Sequence, residues 1–368
     1  MKVATILGTR PELIKMSEII KKLDKHTNHI LIHTGQNYDF ELGGIFYEEL
    51  GVRKPDYVCE LVGDNLHEKI ASIIAATGEV LAKEKPNAVV ILGDTNSSLA
   101  AYMAKRLKIP VFHLEAGNRC FDDNVPEEVN RRIIDHISDV NMVYSENSRQ
   151  NLIAEGIARD RIFTMGSPMQ EIIDTHAGKI AKSDILPYLG VDENKYFVAS
   201  IHREENVDKT NNLSEIVKSL NKIATLYNIP VILSAHPRML DRMKKNKFVL
   251  DDRVIIHKPF GFFDYMKLQM NSKCVISDSG TISEESSIMG FPAITLRNTI
   301  ERPEVIDVGG MLITSINMIN ILDCLKVATS DFEASPTPTA YDIDNCSDRV
   351  LKTVLSYTPY VNRYVWNK

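Results

Sequence analysis

No apolar run in this 368-residue chain approaches the ~18 residues that span a bilayer, so no membrane-crossing segment is expected. Cysteine is sparse: five residues, at 59, 120, 274, 324 and 346, with no C-x-x-C pair among them. Zinc-ribbon and dithiol chemistry therefore lack their spacing, and free thiols in a cytoplasmic protein are expected. Positive charge is not in excess. The net charge of −6 offers no basic surface for nucleic acid or an anionic membrane. Neither G-x-G-x-x-G nor the Walker spacing occurs, so neither an NAD fingerprint nor a P-loop supports nucleotide binding. The opening "MKVATILG" reads as a first strand, not as a signal peptide. There is no low-complexity segment.

What is present alternates. Apolar runs of strand length ("VATILG", "HILIHTG", "AVVILGDT", "VFHLEAG", "NMVYSE", "RIFTMG") are separated by helical periodicity, as in Leu13, Ile14, Met16, Ile19, Ile20 and Leu23. This pattern predicts parallel sheets with helical crossovers. It pauses over the polar "DTHAGKIAKSDILPYLGVDENK" near residue 172 and restarts with "YFVASIH", "VILSAH", "RVIIHK", "CVISDSG" and "PAITLR". Two doubly wound α/β domains are expected, residues 1–171 and 172–351. A final aromatic helix at about 352–368 either caps the second domain or crosses back to the first.

In open α/β sheets, ligands bind beyond the carboxyl ends of strands, and the polar motifs gather there. Two domains whose strand ends faced each other would enclose one cleft. "SDSGTISEE" opens a helix after a strand. Free N–H groups at Ser279, Gly280 and Thr281 suit a phosphate, and Glu285 one turn later suits a ribose hydroxyl. A helix cap by Ser279 or Thr281, with Glu284 closing a capping box, is the plain alternative. In "GTRPELIK", Arg10 at a strand end suits a phosphate, unless it merely pairs with Glu12. Asp94 in "GDTNS" is either functional or an N-cap. Glu115, in an otherwise apolar strand, is expected to be partly desolvated with a raised pKa. Glu127 opens a helix, where acids also occur for dipole reasons. Carboxylates in differing environments can remove and return a proton. His202 ("SIHREEN") and His236 ("AHPR") end strands of the second domain. "HKPFGFFDY" offers aromatics for a flat base, and "RNTIERPE" is either functional or a loop ordered by ion pairs.

Together "GTRPELIK", "TGQ", "GDTNS", "EAGNR…PEE.NR", "IHREEN", "HP", "DSGTISEES" and "ERPE", in order from Gly8 to Glu304, resemble the non-hydrolysing UDP-N-acetylglucosamine 2-epimerase family. The resemblance implies the GT-B architecture, two Rossmann-like domains with a cleft between them. It also implies a UDP-linked N-acetyl amino sugar as substrate, a homodimer, and no metal or redox cofactor. It implies loss of the C2 proton with departure of UDP, a glycal intermediate, then return of both. By motif position, Asp94, Glu115, Glu127 and His202 match the family's catalytic residues. Arg10, Lys15, His236, Ser279, Gly280, Thr281 and Glu285 match its UDP contacts.

"EAGNR", "DSGTISEE" and "MGSPMQE" depart from the commonest branch. With "CFDD" and "KPFGFFDY" they resemble the branch called UDP-N-acetyl-L-fucosamine synthase, which epimerises UDP-2-acetamido-2,6-dideoxy-L-talose for capsule or O-antigen polysaccharides. Asn118, Cys120 and Phe121, near Glu115, are then candidates for reading the L-sugar and its missing 6-hydroxyl. The segment "NYDFELGG" after "TGQ" also departs from the common branch, in which UDP-GlcNAc acts as an allosteric ligand. The alternatives are UDP-GlcNAc 2-epimerase itself, a GT-B glycosyltransferase, and a non-catalytic UDP-sugar sensor.

Overall fold

The computed structural model describes residues 1–36, 40–330 and 332–368, with the backbone alone for 40–43. Of the "NYDFELGG" segment, residues 37–39 lie outside the described residues. The chain divides into two compact units, Met1–Thr175 with Thr339–Lys368, and His176–Pro338.

The sheet of the first unit has seven parallel strands: β1 (Lys2–Leu7), β2 (Asn28–His33), β3 (Tyr57–Val58), β4 (Ala88–Leu92), β5 (Val111–Ala116), β6 (Val140–Val143) and β7 (Ile162–Thr164). Their order is β3-β2-β1-β4-β5-β6-β7. The second unit has six: β8 (Phe197–Ile201), β9 (Val231–Ala235), β10 (Val254–His257), β11 (Cys274–Ser277), β12 (Ala293–Leu296) and β13 (Leu312–Thr314), in the order β10-β9-β8-β11-β12-β13. Both sheets are doubly wound, reversing between β1 and β4 and between β8 and β11. These are the switch points at which such sheets take ligands.

Central strands are apolar without alternation because helices cover both faces. All five residues of β4, Ala-Val-Val-Ile-Leu, are buried. The helix Arg10–His26 buries Leu13, Met16, Ile19, Ile20 and Leu23 on one stripe, the i, i+3, i+4 spacing of a core-facing face.

Three local expectations change. The polar stretch near residue 172 is largely helical: Met169–Ala181 and Ile185–Leu189 are helices, because Ile172, Ile173 and Ile180 bury one stripe that polar neighbours had masked. "NSSLA" forms a 3-10 turn, Asn96–Ala100, before a short α-helix, Ala101–Arg106. The last helix starts at Cys346 and runs to Tyr364 through an internal Pro359. It packs on Arg10–His26, where Lys22 meets Asp348 at 2.7 Å. Its first turn is fixed by Glu171, which accepts the Ser347 backbone N–H at 2.8 Å.

Candidate active site

In the first unit the motifs stand at the carboxyl ends of β1, β4 and β5. Glu115 lies in a break in the β5–β6 register between Leu114 and Ala116, with φ +67°. A non-glycine residue in the left-handed region costs roughly 1–2 kcal/mol. Such bulges re-aim a side chain. Here the carboxylate is turned to Lys15, whose Nζ donates to Oε2 at 2.7 Å. The Tyr144 hydroxyl donates to the same oxygen at 3.2 Å. The desolvation expected of Glu115 is present, since its side chain is 10% exposed and that of Lys15 4%. The ammonium was not foreseen as its partner: Lys15 matched a UDP contact by motif, yet its contact here is Glu115.

Arg10 does not pair with Glu12. Its guanidinium lies 5.6 Å from the Phe46 ring centroid, and burial lowers its pKa. Glu12 instead folds under the turn. Its Oε2 accepts the N–H groups of Gly8 and Thr9 at 2.7 and 2.8 Å, and its Oε1 accepts the Thr95 hydroxyl at 2.7 Å. One carboxylate thus joins the turn after β1 to the turn after β4. Burial pushes its pKa up to about 7 against these hydrogen bonds.

Asp94 is not an N-cap; Thr95 takes that place, its side chain accepting from Ser97 N–H. Asp94 Oδ2 accepts from Arg131 Nε at 2.9 Å. Glu127 is exposed in the first turn of the helix Pro126–Ile137, whereas its neighbour Glu128 is fully buried. Of the residues expected to read the sugar, two turn inward. Asn118 is buried and accepts from Ser148 Oγ at 2.9 Å. Cys120 is buried with its Sγ 3.3 Å from Glu128, and burial pushes its thiol pKa up. Phe121 alone is exposed, at 74%. Beneath β5, buried Asp135 accepts from Arg119 at 2.7 Å and from the Gly117 N–H at 3.2 Å.

In the second unit, Asp278 at the end of β11 is fully buried. It accepts the backbone N–H groups of His202 and Arg203 at 3.0 Å each, and the Asn206 amide at 3.0 Å. The His202 Nδ1 lies 3.1 Å from its Oδ1. Burial works to raise the carboxyl, but the facing imidazole and these bonds outweigh it and hold it at about 2. His202 is oriented from below and its side chain remains 48% exposed. His236 N-caps the helix Pro237–Lys245, its Nδ1 accepting from Arg238 N–H at 3.3 Å.

Ser279, Gly280 and Thr281 form the turn before the helix Ile282–Met289. Thr281 is the N-cap position, but no side-chain cap closes it; the Ser279 and Thr281 hydroxyls bond each other at 3.0 Å. Nor is Glu284 the partner of a capping box: it is buried and ion-paired with Arg302, which also donates to the Gly280 carbonyl at 2.8 Å. Arg297 pairs with Glu301, so ion pairs do order the "RNTIERPE" loop. Glu285 is buried and accepts from Gln269 Nε2 at 3.0 Å.

The contacts of Glu12, Glu128, Arg131 and Gln269 were not legible in the sequence, except that i, i+3 spacing puts Glu128 and Arg131 on one helix face. Among the described residues no group of three His, Cys, Asp or Glu side chains is placed to hold a metal, and no helix is long and apolar enough to cross a membrane.

The sequence model of the UDP-N-acetylglucosamine 2-epimerase family matches residues 21–355. A solved structure described as UDP-N-acetylglucosamine 2-epimerase from Rickettsia bellii is 46% identical, with a TM-score of 0.94 and full coverage of both chains. The Methanocaldococcus jannaschii UDP-N-acetylglucosamine 2-epimerase is 36% identical over 98% of this chain and 100% of its own. Its crystal structure with UDP-GlcNAc and UDP superposes with a TM-score of 0.91, covering 97% of this chain and 100% of that one. A UDP-2,3-diacetamido-2,3-dideoxy-D-glucuronate 2-epimerase of Pseudomonas aeruginosa is 34% identical over 84% of this chain and 87% of its own. With its two parallel α/β units of the GT-B class, the chain belongs to the UDP-N-acetylglucosamine 2-epimerase family, and it is an isomerase of the epimerase class.

Proposed function

We propose that this 2-epimerase acts by UDP elimination and re-addition, with its carboxylates on the first unit and most of its nucleotide contacts on the second. The observation that carries the reading is Glu115, aimed by a backbone bulge and held by Lys15 and Tyr144. A carboxylate takes the C2 proton. The C–H pair forms the C1=C2 bond as the C1–O bond to UDP breaks. The proton then returns to the opposite face of C2, and the β-phosphate oxygen re-adds at C1. Asp94 and Glu127 are the further carboxylates of this scheme, and His202 is its imidazole. The start of the helix Ile282–Met289 and the guanidinium of Arg10 favour the departing diphosphate anion. The N-cap Thr281 of that helix makes no side-chain cap, although the Ser279 and Thr281 N–H groups donate to the Ser277 and Ser279 hydroxyls. His236 and Glu285 complete the nucleotide contacts.

The substrate we propose is UDP-2-acetamido-2,6-dideoxy-L-talose, converted to UDP-N-acetyl-L-fucosamine for capsule or O-antigen polysaccharide. The motifs "EAGNR", "CFDD" and "DSGTISEE" support this, with Phe121, the exposed residue of its turn, as the residue presented to the sugar. A second reading, UDP-GlcNAc to UDP-ManNAc, is favoured by the names of the Rickettsia bellii and Methanocaldococcus jannaschii proteins. Proton NMR in D2O with UDP-L-FucNAc and UDP-GlcNAc in parallel tests both. Deuterium at C2 with a C2 epimer only from the L-sugar supports the first. The same signal only from UDP-GlcNAc supports the second, and no exchange from either defeats the elimination mechanism.

A cytoplasmic homodimer is part of the same proposal. The neighbouring helices Leu66–Glu84, Ala101–Arg106 and Pro126–Ile137 expose Leu66, Tyr102, Val129 and Ile133 at 45–63%, an apolar face suited to a second copy. Light scattering of wild type and Ile133→Asp tests it: a monomeric wild type overturns it.

A further inference from the structure

We propose that Glu128 is a positioning residue that sets the sugar preference. It fixes the turn carrying Phe121 and, through Arg131, ties that turn to Asp94. The inference rests on the epimerase reading above.

Glu128 is fully buried, and five donors converge on its carboxylate. Oε2 accepts the Cys120 N–H at 3.1 Å, the Cys120 Sγ–H at 3.3 Å and Arg131 at 3.0 Å. Oε1 accepts the Phe121 N–H at 3.2 Å and Arg132 at 3.1 Å. A helix cap would need none of these. The carboxylate faces away from its own helix start and grips a different segment of backbone. Burial works to raise its pKa, but the Cys120 bonds and Arg131 outweigh it and hold the group charged below the usual range.

At Phe121 the gripped turn is strained. Phe121 has φ +55°, a left-handed conformation that disfavours a residue with a Cβ, and its ring is largely in solvent. The Phe121 ring therefore does little to fix its own backbone, and the two backbone bonds to Glu128 add to the burial of Cys120 beside it. Arg131 is itself buried, and its remaining nitrogens bond Asp94 Oδ2 at 2.9 and 2.7 Å. A continuous path of charge-assisted hydrogen bonds, the strong kind, thus runs from the Phe121 backbone through Glu128 and Arg131 to Asp94. Moving the turn moves the guanidinium, and with it the carboxylate.

The test uses the full chain with Glu128→Gln, Phe121→Ala and the double variant. C2 exchange in D2O is followed with UDP-L-FucNAc and UDP-GlcNAc, and UDP affinity and thermal melting are measured alongside. An amide offers one acceptor where the turn needs two. In both single variants, the ratio of kcat/KM for the two sugars should fall at least tenfold, or exchange should appear with a sugar that the wild type refuses. UDP affinity should stay within twofold. The double variant should do no more than the stronger single one, because both act through the same turn. A folded Glu128→Gln with the wild-type ratio, an unchanged ratio in Phe121→Ala, or effects that multiply in the double variant would each overturn the inference. If Glu128→Gln does not fold, Arg131→Lys decides. It keeps the charge and loses the fork, and should lower kcat at least tenfold at unchanged UDP affinity; unaltered kcat overturns the coupling to Asp94. A wild type inert toward both sugars would instead defeat the epimerase mechanism on which the inference rests.

Discussion

The ammonium of Lys15 donates to Glu115 Oε2 at 2.7 Å across a hundred positions of sequence. Lys15 comes from the helix after β1 and Glu115 from the end of β5, and the β1–β4–β5 pairing brings them together. The two side chains are 4% and 10% exposed, so the contact is made almost out of reach of solvent. There Lys15 balances the charge of Glu115.

Glu115→Gln should lower C2 exchange by roughly a hundredfold to ten-thousandfold, the range of a lost general base, and leave UDP affinity within a few-fold. Lys15→Met should also lower turnover, and Lys15→Arg should restore part of it. Single-turnover exchange with UDP titration separates the two effects. Near-normal exchange in Glu115→Gln would remove Glu115 from the chemistry.

Glu12 should make the first unit less stable as pH rises. Its pKa goes from 4.5 to about 7 on burial, so between those values the folded chain holds a proton that the unfolded chain has released. Unfolding is therefore favoured as pH climbs through that window, and the effect is flat above it. Between pH 5 and 7.5 the loss is ~2 kcal/mol. Urea unfolding of wild type and Glu12→Gln at both pH values checks this. The variant should lack that decline while keeping one acceptor for Gly8 and Thr9.

Asp278 works in the other sense. Its pKa falls from 3.8 to about 2 on folding, so its contribution of ~2 kcal/mol is fully present above the unfolded value and lost as pH falls through about 2. Asp278→Asn should destabilise the second unit by that amount at pH 7 and by about half of it at pH 3. It should also lower turnover, since His202 loses its anchor. Denaturation at the two pH values reads the first effect and exchange rates the second.

Two glycines should fail differently. A Cβ on Gly8 would lie 2.0 Å from Ser97 Oγ and 2.1 Å from Thr34 Oγ1. These hydroxyls are bonded to each other at 2.7 Å and have little room to move, so Gly8→Ala should cost ~1–3 kcal/mol of stability. At Gly280 the nearest atom would be Glu301 Oε1 at 3.0 Å, which a side chain can yield. Gly280→Ala should melt within a few degrees of wild type and lose UDP affinity instead, because a methyl would stand in the way of the phosphate approach proposed above. Thermal melts beside UDP titrations distinguish the two.

The central strands were legible because burial on both faces leaves runs such as Ala88–Leu92 uniformly apolar. β3 and β13 were not, since two or three residues at a sheet edge carry no periodicity. The residue types at strand ends announced a polar site, as strand ends must in such sheets. Which acid of the pair Glu127 and Glu128 turns inward depends on the rotation of one helix, and tertiary packing sets that. Asn118 and Cys120 looked like sugar readers because they neighbour Glu115, yet the positive φ at Glu115, Gly117 and Phe121 folds the segment so that only Phe121 stands out. The Lys15–Glu115 contact depends on strand order, which no local pattern encodes.

The seat of the last helix on Arg10–His26 also sets a timetable. On the ribosome the first of these helices emerges roughly 320 residues before its partner, from His26 to Cys346. At roughly 5–20 residues per second this is a wait of about a quarter of a minute to a minute. Residues 176–338 form their own compact unit and can complete it in the interval, while the helix Arg10–His26 keeps one flank uncovered. Translation speed late in the message, and chaperones that shelter that flank, therefore bear on the yield of folded enzyme.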